Sequence, residues 1–345
     1  MTNARVHPGR ILIVLHGAIG DVVRAMPLAM RVRRAWPDAH VAWAVEPAAA
    51  PLLERHPAID EPIVFRRDRG PRAFVPFLAE VRRRRFDLVL DLQRHLKSGI
   101  VSRASGAAVR IGFDRRNSKE GNWLFNTESI PPQEHFSLKL RQYLVFAEHL
   151  GIADDAVEFG LMPSAAEARR AAALLEGVRW PFVAAFVGST WESRFWWPQA
   201  TAEVLREARV RFGLGAVLLG APGEAAFAED VRDGAPEGTV NLAGRTSLRD
   251  LIAVLAEARV AFGPDSGPMH IASALGVPVV SLWGATSPRR SAPFGFEDLA
   301  IVGGVACHPC YLRRCPIDRL CMKLIRPESV IGNIESALDA GDAAR

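Results

Sequence analysis

The stretch Phe262-Gly-Pro-Asp-Ser-Gly-Pro-Met-His-Ile-Ala-Ser-Ala-Leu-Gly-Val-Pro-Val-Val-Ser-Leu-Trp-Gly284 decides the fold. An apolar run, Ala258 to Phe262, leads into a tight turn at Gly263 to Gly267. Helical spacing follows from Met269 to Leu275, Gly276-Val-Pro278 stops it, and a second apolar run opens at Val279. The pattern predicts strand, turn, helix, strand. The turn carries Asp265, Ser266 and two glycines, with His270 at the helix start. Unpaired N–H groups at a helix N-terminus, with glycines permitting close approach, make an anion seat suited to a pyrophosphate. An ordinary connection with Asp265 or Ser266 as N-cap describes the same letters.

The rest of the chain repeats this grammar. Arg10 to Leu15 reads as a buried strand, His16-Gly-Ala-Ile-Gly20 as a glycine turn, and Asp21 to Arg34 as a helix that Pro27 should kink or delay. Val41 to Val45 is a strand, Ala48 to His56 a short helix, Ile63 to Phe65 a strand, Pro76 to Arg85 a helix, and Leu88 to Leu90 a strand ending at Asp91. A long helix spans Ser137 to Leu150. Periodicity fades between Gly151 and Pro163, which places a domain boundary there: residues 1–160 and 161–345. The second half restarts with strands at Phe182–Val187, Ala216–Leu219 and Val240–Leu242, alternating with helices at Gln199–Arg211, Ala225–Asp233 and Ser247–Ala258. Alternating strands and helices imply parallel α/β sheets, whose ligands sit at strand carboxyl ends. Two such halves stand in tandem, and the cleft between them is the expected binding site.

Composition narrows the functional classes. The chain has 345 residues and is 49% hydrophobic, enough for about two domains. A net charge of +5 favours an anionic ligand without defining it. Aromatic residues are not interleaved with basic runs, which argues against nucleic acid. No stretch approaches the ~20 apolar residues of a membrane span, and no signal-peptide core precedes the first strand. These features predict a cytoplasmic protein.

Several residues carry candidate chemistry. Asp21 at a helix start is stabilised as an anion and could accept a proton from a hydroxyl; an N-cap is the plainer reading. Ser189, Thr190 and Arg194 follow a strand of the second half and could hold a diphosphate, or form a capped turn with a surface arginine. Trp191, Phe195, Trp196 and Trp197 are dense enough to be core or a hinge pack. Arg66, Arg67, Arg94, His95 and Lys97 fall at strand ends of the first half, where they could meet an acceptor's carboxylate or phosphate or simply be solvated. All four cysteines lie in one segment, Cys307, Cys310, Cys315 and Cys321, with His308 inside it. Four clustered thiols in a cytosolic chain can bind structural zinc or an iron–sulfur cluster; reduced thiols or a labile disulfide are the alternatives. A catalytic zinc is not the reading, because four cysteines leave no open position.

Taken together, three motifs in order resemble glycosyltransferase family 9, the lipopolysaccharide heptosyltransferases. They are Gly20-Asp21-Val22-Val23 with Met26-Pro27, then Gly188-Ser-Thr-Trp-Glu-Ser-Arg194-Phe-Trp196, then Gly263-Pro-Asp-Ser-Gly-Pro-Met-His270 continued by Gly284-Ala-Thr-Ser-Pro288. The cysteine segment looks like one that many members carry. The resemblance implies a GT-B fold: two facing Rossmann-like domains, the N-terminal one binding the acceptor and the C-terminal one the nucleotide sugar. It implies heptose transfer from ADP-heptose to an anionic inner-core lipid A acceptor at the inner face of the inner membrane, with Asp21 as general base. Thr190 and Arg194 would contact the diphosphate; Ser189 stands beside them in the same motif. Ser266, Gly267 and His270 would cradle the diphosphate, Asp265 would lie near the donor sugar, and Glu224 would hold the nucleoside. Acceptor residues vary in the family, so Arg66, Arg67, Arg94 and Lys97 carry over only as a class. Arg194 departs from the family's usual lysine, which alters the geometry of a diphosphate contact.

No D-x-D aspartate pair lies near the expected site, so the chemistry calls for no metal or other cofactor. The reading is an inverting glycosyltransferase. Its rivals are a relative using another nucleotide sugar, a GT-B epimerase, and a nucleotide-sugar-binding protein without transfer. A dinucleotide oxidoreductase is disfavoured, because Gly17-Ala-Ile-Gly20 lacks the G-x-G-x-x-G spacing.

Overall fold

The computed structural model describes residues 7–343; the residues ahead of His7, on which part of the signal-peptide reading rests, lie outside them. The chain divides between Leu161 and Met162 into two units.

The first unit runs β1 (Arg10–Val14), α1 (Ile19–Ala35), β2 (His40–Val45), β3 (Glu61–Val64), α2 (Phe74–Arg83), β4 (Leu88–Asp91), α3 (Leu96–Ser105), β5 (Val109–Gly112), β6 (Glu128–Ser129) and α4 (Lys139–His149). Its six strands pair in the order β3-β2-β1-β4-β5-β6, every described pairing parallel. Full burial of β1 from Ile11 to Val14 explains its apolar run, since a strand covered on both faces has no polar side to show. Trp43 of β2 is fully buried and spends its indole N–H on the Leu15 carbonyl at 3.0 Å.

The second unit runs α5 (Ala165–Leu174), β7 (Phe182–Phe186), α6 (Pro198–Phe212), β8 (Gly215–Leu219), α7 (Ala225–Gly234), β9 (Val240–Asn241), α8 (Leu248–Ala256), β10 (Val260–Pro264), α9 (Gly267–Ala274), β11 (Val279–Trp283), α10 (Pro288–Ser291), β12 (Ala300–Val302), α11 (Leu320–Lys323) and α12 (Pro327–Ala343). Its order is β12-β11-β10-β7-β8-β9, again parallel. Counted from the first strand of each unit, both sheets have the doubly wound order 3-2-1-4-5-6. This tandem pair of Rossmann-like domains is the GT-B type of α/β fold. In each unit the strand order reverses once, between β1 and β4 and between β7 and β10, and the crevice outside those carboxyl ends is where such sheets bind ligands.

Three local expectations need correction. Pro27 neither delays nor ends α1, which starts at Ile19 and runs through it. Pro27 costs one backbone bond, but the surrounding residues, Val22 to Ala29, are buried and α1 packs on α4, so tertiary packing outweighs the loss. The short helix at 48–56 reduces to a single 3-10 turn, Ala50–Leu52. Ala258 precedes β10, which opens at Val260.

The junction is anchored on both sides. Arg34 pairs with Asp154 at 2.6 Å and Glu158 at 3.0 Å, Arg31 donates to the Ala156 carbonyl, and His56 bonds the Phe159 carbonyl at 2.8 Å. Beyond it, Glu167 caps Ser164 and takes a two-pronged contact from Arg249, whose hydrogen bonds hold its carboxyl down to about 2 against the opposing effect of burial. The same guanidinium reaches the Met162 carbonyl at 2.9 Å.

Candidate active site

In the first unit the switch-point loops after β1 and β4 are tied together, His16 N–H donating to Gln93 Oε1 at 2.8 Å. Asp21 is the third residue of α1, whose N-cap position is Ala18, so its carboxylate is not an N-cap. Instead Oδ1 receives Arg24 Nη2 at 2.6 Å, Lys139 Nζ at 2.8 Å and the Tyr143 hydroxyl at 3.4 Å. Burial would push this carboxyl up; Lys139 and Arg24 outweigh it and hold the group far below the usual carboxylate range. Lys139 and Tyr143, on α4, were invisible to motif reading, because they lie 118 and 122 residues from Asp21 and belong to no local pattern.

His16 is buried, with Nε2 lacking a hydrogen-bond partner, and packs 5.4 Å from Phe65 and 6.2 Å from Phe77. Burial, then Lys97 and Arg67, press its imidazole down to about 4. Asp91, the last residue of β4, is fully buried and accepts from Asn122 Nδ2 at 2.7 Å and Gln93 N–H at 3.1 Å; burial nonetheless pushes it up to about 6.

The five basic candidates separate. Arg67 and Lys97 line a cavity of about 300 Å³ walled by Phe65, Pro71 and Phe74. Arg66 is the exposed residue ahead of the 3-10 turn Arg67–Arg69. Arg94 lies 3.7 Å over the Phe113 ring and bonds Gln142. His95 faces Glu120 at 3.3 Å.

In the second unit the candidates converge on the β7–β10 switch point. Asp265, just after β10, is almost fully buried. Its carboxylate Oδ2 accepts from Thr286 Oγ1 at 2.7 Å and pairs with Arg194 Nη1 at 3.1 Å. Its main-chain carbonyl accepts from Ser189 Oγ at 2.7 Å and from Arg194 Nη1 at 3.2 Å. Arg194 therefore has a protein partner where the sequence suggested a waiting diphosphate, and its guanidinium lies 4.0 Å over the Trp191 ring. Thr286 is a further member of this cluster; the Gly284–Pro288 motif pointed at its stretch without giving it a role. Thr190 is exposed beside the buried Ser189.

Helix α9 opens at Gly267 with Ser266 as N-cap and His270 buried in its first turn. The Ser266 N–H donates to Met269 Sδ at 3.1 Å, while its buried Oγ has no partner. An orphaned hydroxyl at a helix N-terminus is suited to an anionic ligand's oxygens. Glu224, after β8, takes the Ala221 N–H at 2.7 Å, and burial raises its carboxyl. It lies against Gly188, where an added Cβ would stand 2.2 Å from its Oε1. Glycine at 188 is thus what admits the acid to the β7 strand end.

The cysteine segment folds back onto this edge. His308 Nδ1 bonds the Gly284 carbonyl at 2.6 Å, Tyr311 N–H the Ala285 carbonyl, and Ser193 Oγ the Leu312 carbonyl. Cys307, Cys310, Cys315 and Cys321 border one small cavity of about 10 Å³ and are free thiols. Among the described residues, no three His, Cys, Asp or Glu side chains are placed to hold a metal ion. The nearby tryptophans are structural in part: Trp196 is buried and bonds the Ile325 carbonyl, and Trp197 lies under Arg319.

No described helix is long and apolar enough to cross a membrane. Comparison with known proteins gives a consistent family. The chain is 27% identical over 369 residues to lipopolysaccharide heptosyltransferase 1 of Pseudomonas aeruginosa, covering 97% of this chain and 100% of that one. Its fold is similar to the glycosyl transferase family 9 structure from Veillonella parvula, at TM-score 0.82 and 20% identity over 98% of this chain and 100% of that one. It is also similar to E. coli heptosyltransferase WaaC with ADP, at TM-score 0.73 and 22% identity over 96% and 98% of the two chains. The profile of glycosyltransferase family 9 (heptosyltransferase) matches residues 76–320, and the chain, a glycosyltransferase, belongs to that family.

Proposed function

We propose that this enzyme transfers a heptose from ADP-heptose to the anionic inner core of lipopolysaccharide, with inversion and with Asp21 as the general base. The observation that carries the base assignment is the Asp21 carboxylate, held ionised at the start of α1 beside the first-unit switch point. In the step proposed, the acceptor O–H bond breaks and its proton passes to Asp21. The freed electron pair forms the bond to the anomeric carbon while the bond to the diphosphate breaks, and its electrons leave on ADP. Displacement on the opposite face inverts the centre.

The second unit is the nucleotide-sugar domain in this reading. Thr190, Ser266, Gly267 and His270 meet the diphosphate, where the α9 N-terminus and Arg194 offset its growing charge. Asp265 faces the donor sugar and Glu224 the nucleoside. Ser189 holds the Asp265 carbonyl, so its part is to fix the loop. Arg194 reaches the diphosphate by sharing the guanidinium now paired with Asp265, a planar donor with capacity for two partners. The bound ADP in the similar WaaC structure supports this reading. In the first unit Arg67 and Lys97, on one cavity with aromatic walls, suit a carboxylate or phosphate of the acceptor. Arg66 and Arg94 contribute outside that cavity.

The chemistry needs no cofactor in this reading, and a chelator leaves turnover unchanged. The enzyme works in the cytoplasm, reaching its acceptor at the membrane surface. The test is ADP release from ADP-heptose with a deacylated inner-core acceptor. Release that requires the acceptor, and that falls at least ~100-fold in Asp21→Ala while ADP still binds, is the expected result. Unchanged release in the variant removes Asp21 from its role, and no release by the native protein with any nucleotide sugar favours a binding protein.

A further inference from the structure

The residue that motif reading could not reach, Lys139, stands in an unusual relation to Asp21. Three donors meet this carboxylate, and all three meet the same oxygen, Oδ1. Arg24 comes from one turn along α1, so it moves with Asp21. Lys139 comes from the first turn of a different helix, α4, and its side chain is largely covered, at 22% exposure. Charged contacts from two helices on one oxygen restrain rotation of the carboxylate about its side-chain bonds, which a contact from its own helix alone does not. Oδ2 takes none of these contacts.

We propose that Lys139 is a positioning residue of the transfer reaction: with Arg24 it occupies Oδ1 of Asp21 and thereby presents Oδ2 to the acceptor hydroxyl. The proposal rests on Asp21 being the base. The charged and titratable groups facing this carboxylate are Arg24 on α1 and Lys139 and Tyr143 on α4. Tyr143, at 3.4 Å, is the weakest of the three.

The roles separate in a pH profile of the full chain with ADP-heptose and deacylated inner-core acceptor. Removing the lysine charge leaves burial opposed by Arg24 alone, so the carboxyl rises and is protonated at higher pH. In Lys139→Met, kcat falls roughly 10- to 100-fold, the donor KM stays within about twofold, and a new acid limb emerges at higher pH than any in the native enzyme. Lys139→Arg restores most of kcat and abolishes the limb. A Lys139→Met enzyme with native kcat and no new limb overturns the proposal, as does a Lys139→Arg enzyme, folded and ADP-binding, that is as impaired as the methionine variant. Should Lys139→Met fail to fold, Lys139→Gln replaces it under the same criteria. Asp21→Asn reports on the underlying reading: full turnover there removes the base itself, whereas an inactive Asp21→Asn beside a normal Lys139→Met defeats the positioning role alone.

Discussion

Two buried groups at the first-unit switch point carry opposite pH dependences. His16 is pressed from 6.5 to about 4, so the folded state favours its neutral form. Its contribution to stability is complete above pH 6.5 and is lost as pH falls through 4. Asp91 is raised from 3.8 to about 6, so the folded state favours its protonated form. Its contribution is complete below 3.8 and is lost as pH rises through 6. Each shift corresponds to on the order of 3 kcal/mol, and between pH 4 and 6 the two slopes oppose one another. His56, also buried and lowered, adds to the slope of His16, so urea midpoints of the native first unit should change less across that window than those of a chain without Asp91. His16→Phe, which keeps an aromatic ring against Phe65 and Phe77, should turn the slope toward loss of stability as pH rises, relative to the native chain. Asp91→Asn should lose stability as pH falls. A flat profile in both variants would show that neither group titrates as its burial requires. At this scale the sequence was half legible. Asp21, Ser266 and Asp265 could be singled out because motif and helix start coincide in a few letters. Lys139, Tyr143 and Thr286 were not, because each reaches its carboxylate across the fold.

Among the elements, the β7, β10 and β11 ends act together on Asp265. Thr286→Val removes a hydrogen bond to a buried carboxylate, a loss of about 1.5–3 kcal/mol. We expect the donor KM to rise roughly tenfold or more, with Thr286→Ser restoring it; an unchanged KM in the valine variant would mean that Arg194 holds Asp265 unaided. Gly263 inside β10 has φ +151°, and an added Cβ would stand 2.5 Å from the Phe186 carbonyl oxygen. Gly263→Ala should cost about 1–3 kcal/mol or more in thermal stability, because a side chain there is both strained and obstructed. Strands such as β1, β7 and β10 were readable because full burial leaves a continuous apolar run. β6 has two residues and β12 three, too short for any period to show, and both are defined only by the neighbour they pair with. The 48–56 error has the same root: Ala, Pro and Leu satisfy a helical spacing that the chain does not keep long enough to form helical bonds.

The whole chain repeats one sheet topology twice, each copy with its own core. That organisation was legible because it follows from alternation summed over many elements, which tolerates errors in any one. Calorimetry should show two transitions, and ADP should raise the one belonging to residues 162–345. At a hundredfold excess over its dissociation constant the gain is about 2.7 kcal/mol; a shift confined to the first unit's transition would misplace the nucleotide. The junction described above also sets the mechanics of the chain. Its last hydrogen-bonded anchor in the first unit is Phe159 and its first in the second is Met162, with Gly160 and the buried Leu161 between them. With rigid peptide planes, two residues offer about four soft torsions. The connection is thus a short tether and not a spring: its length sets the effective concentration of one domain at the other, with almost no linker entropy to lose. Inserting a run of Gly-Ser pairs after Gly160 should dilute that effective concentration and lower turnover while both calorimetric transitions stay in place.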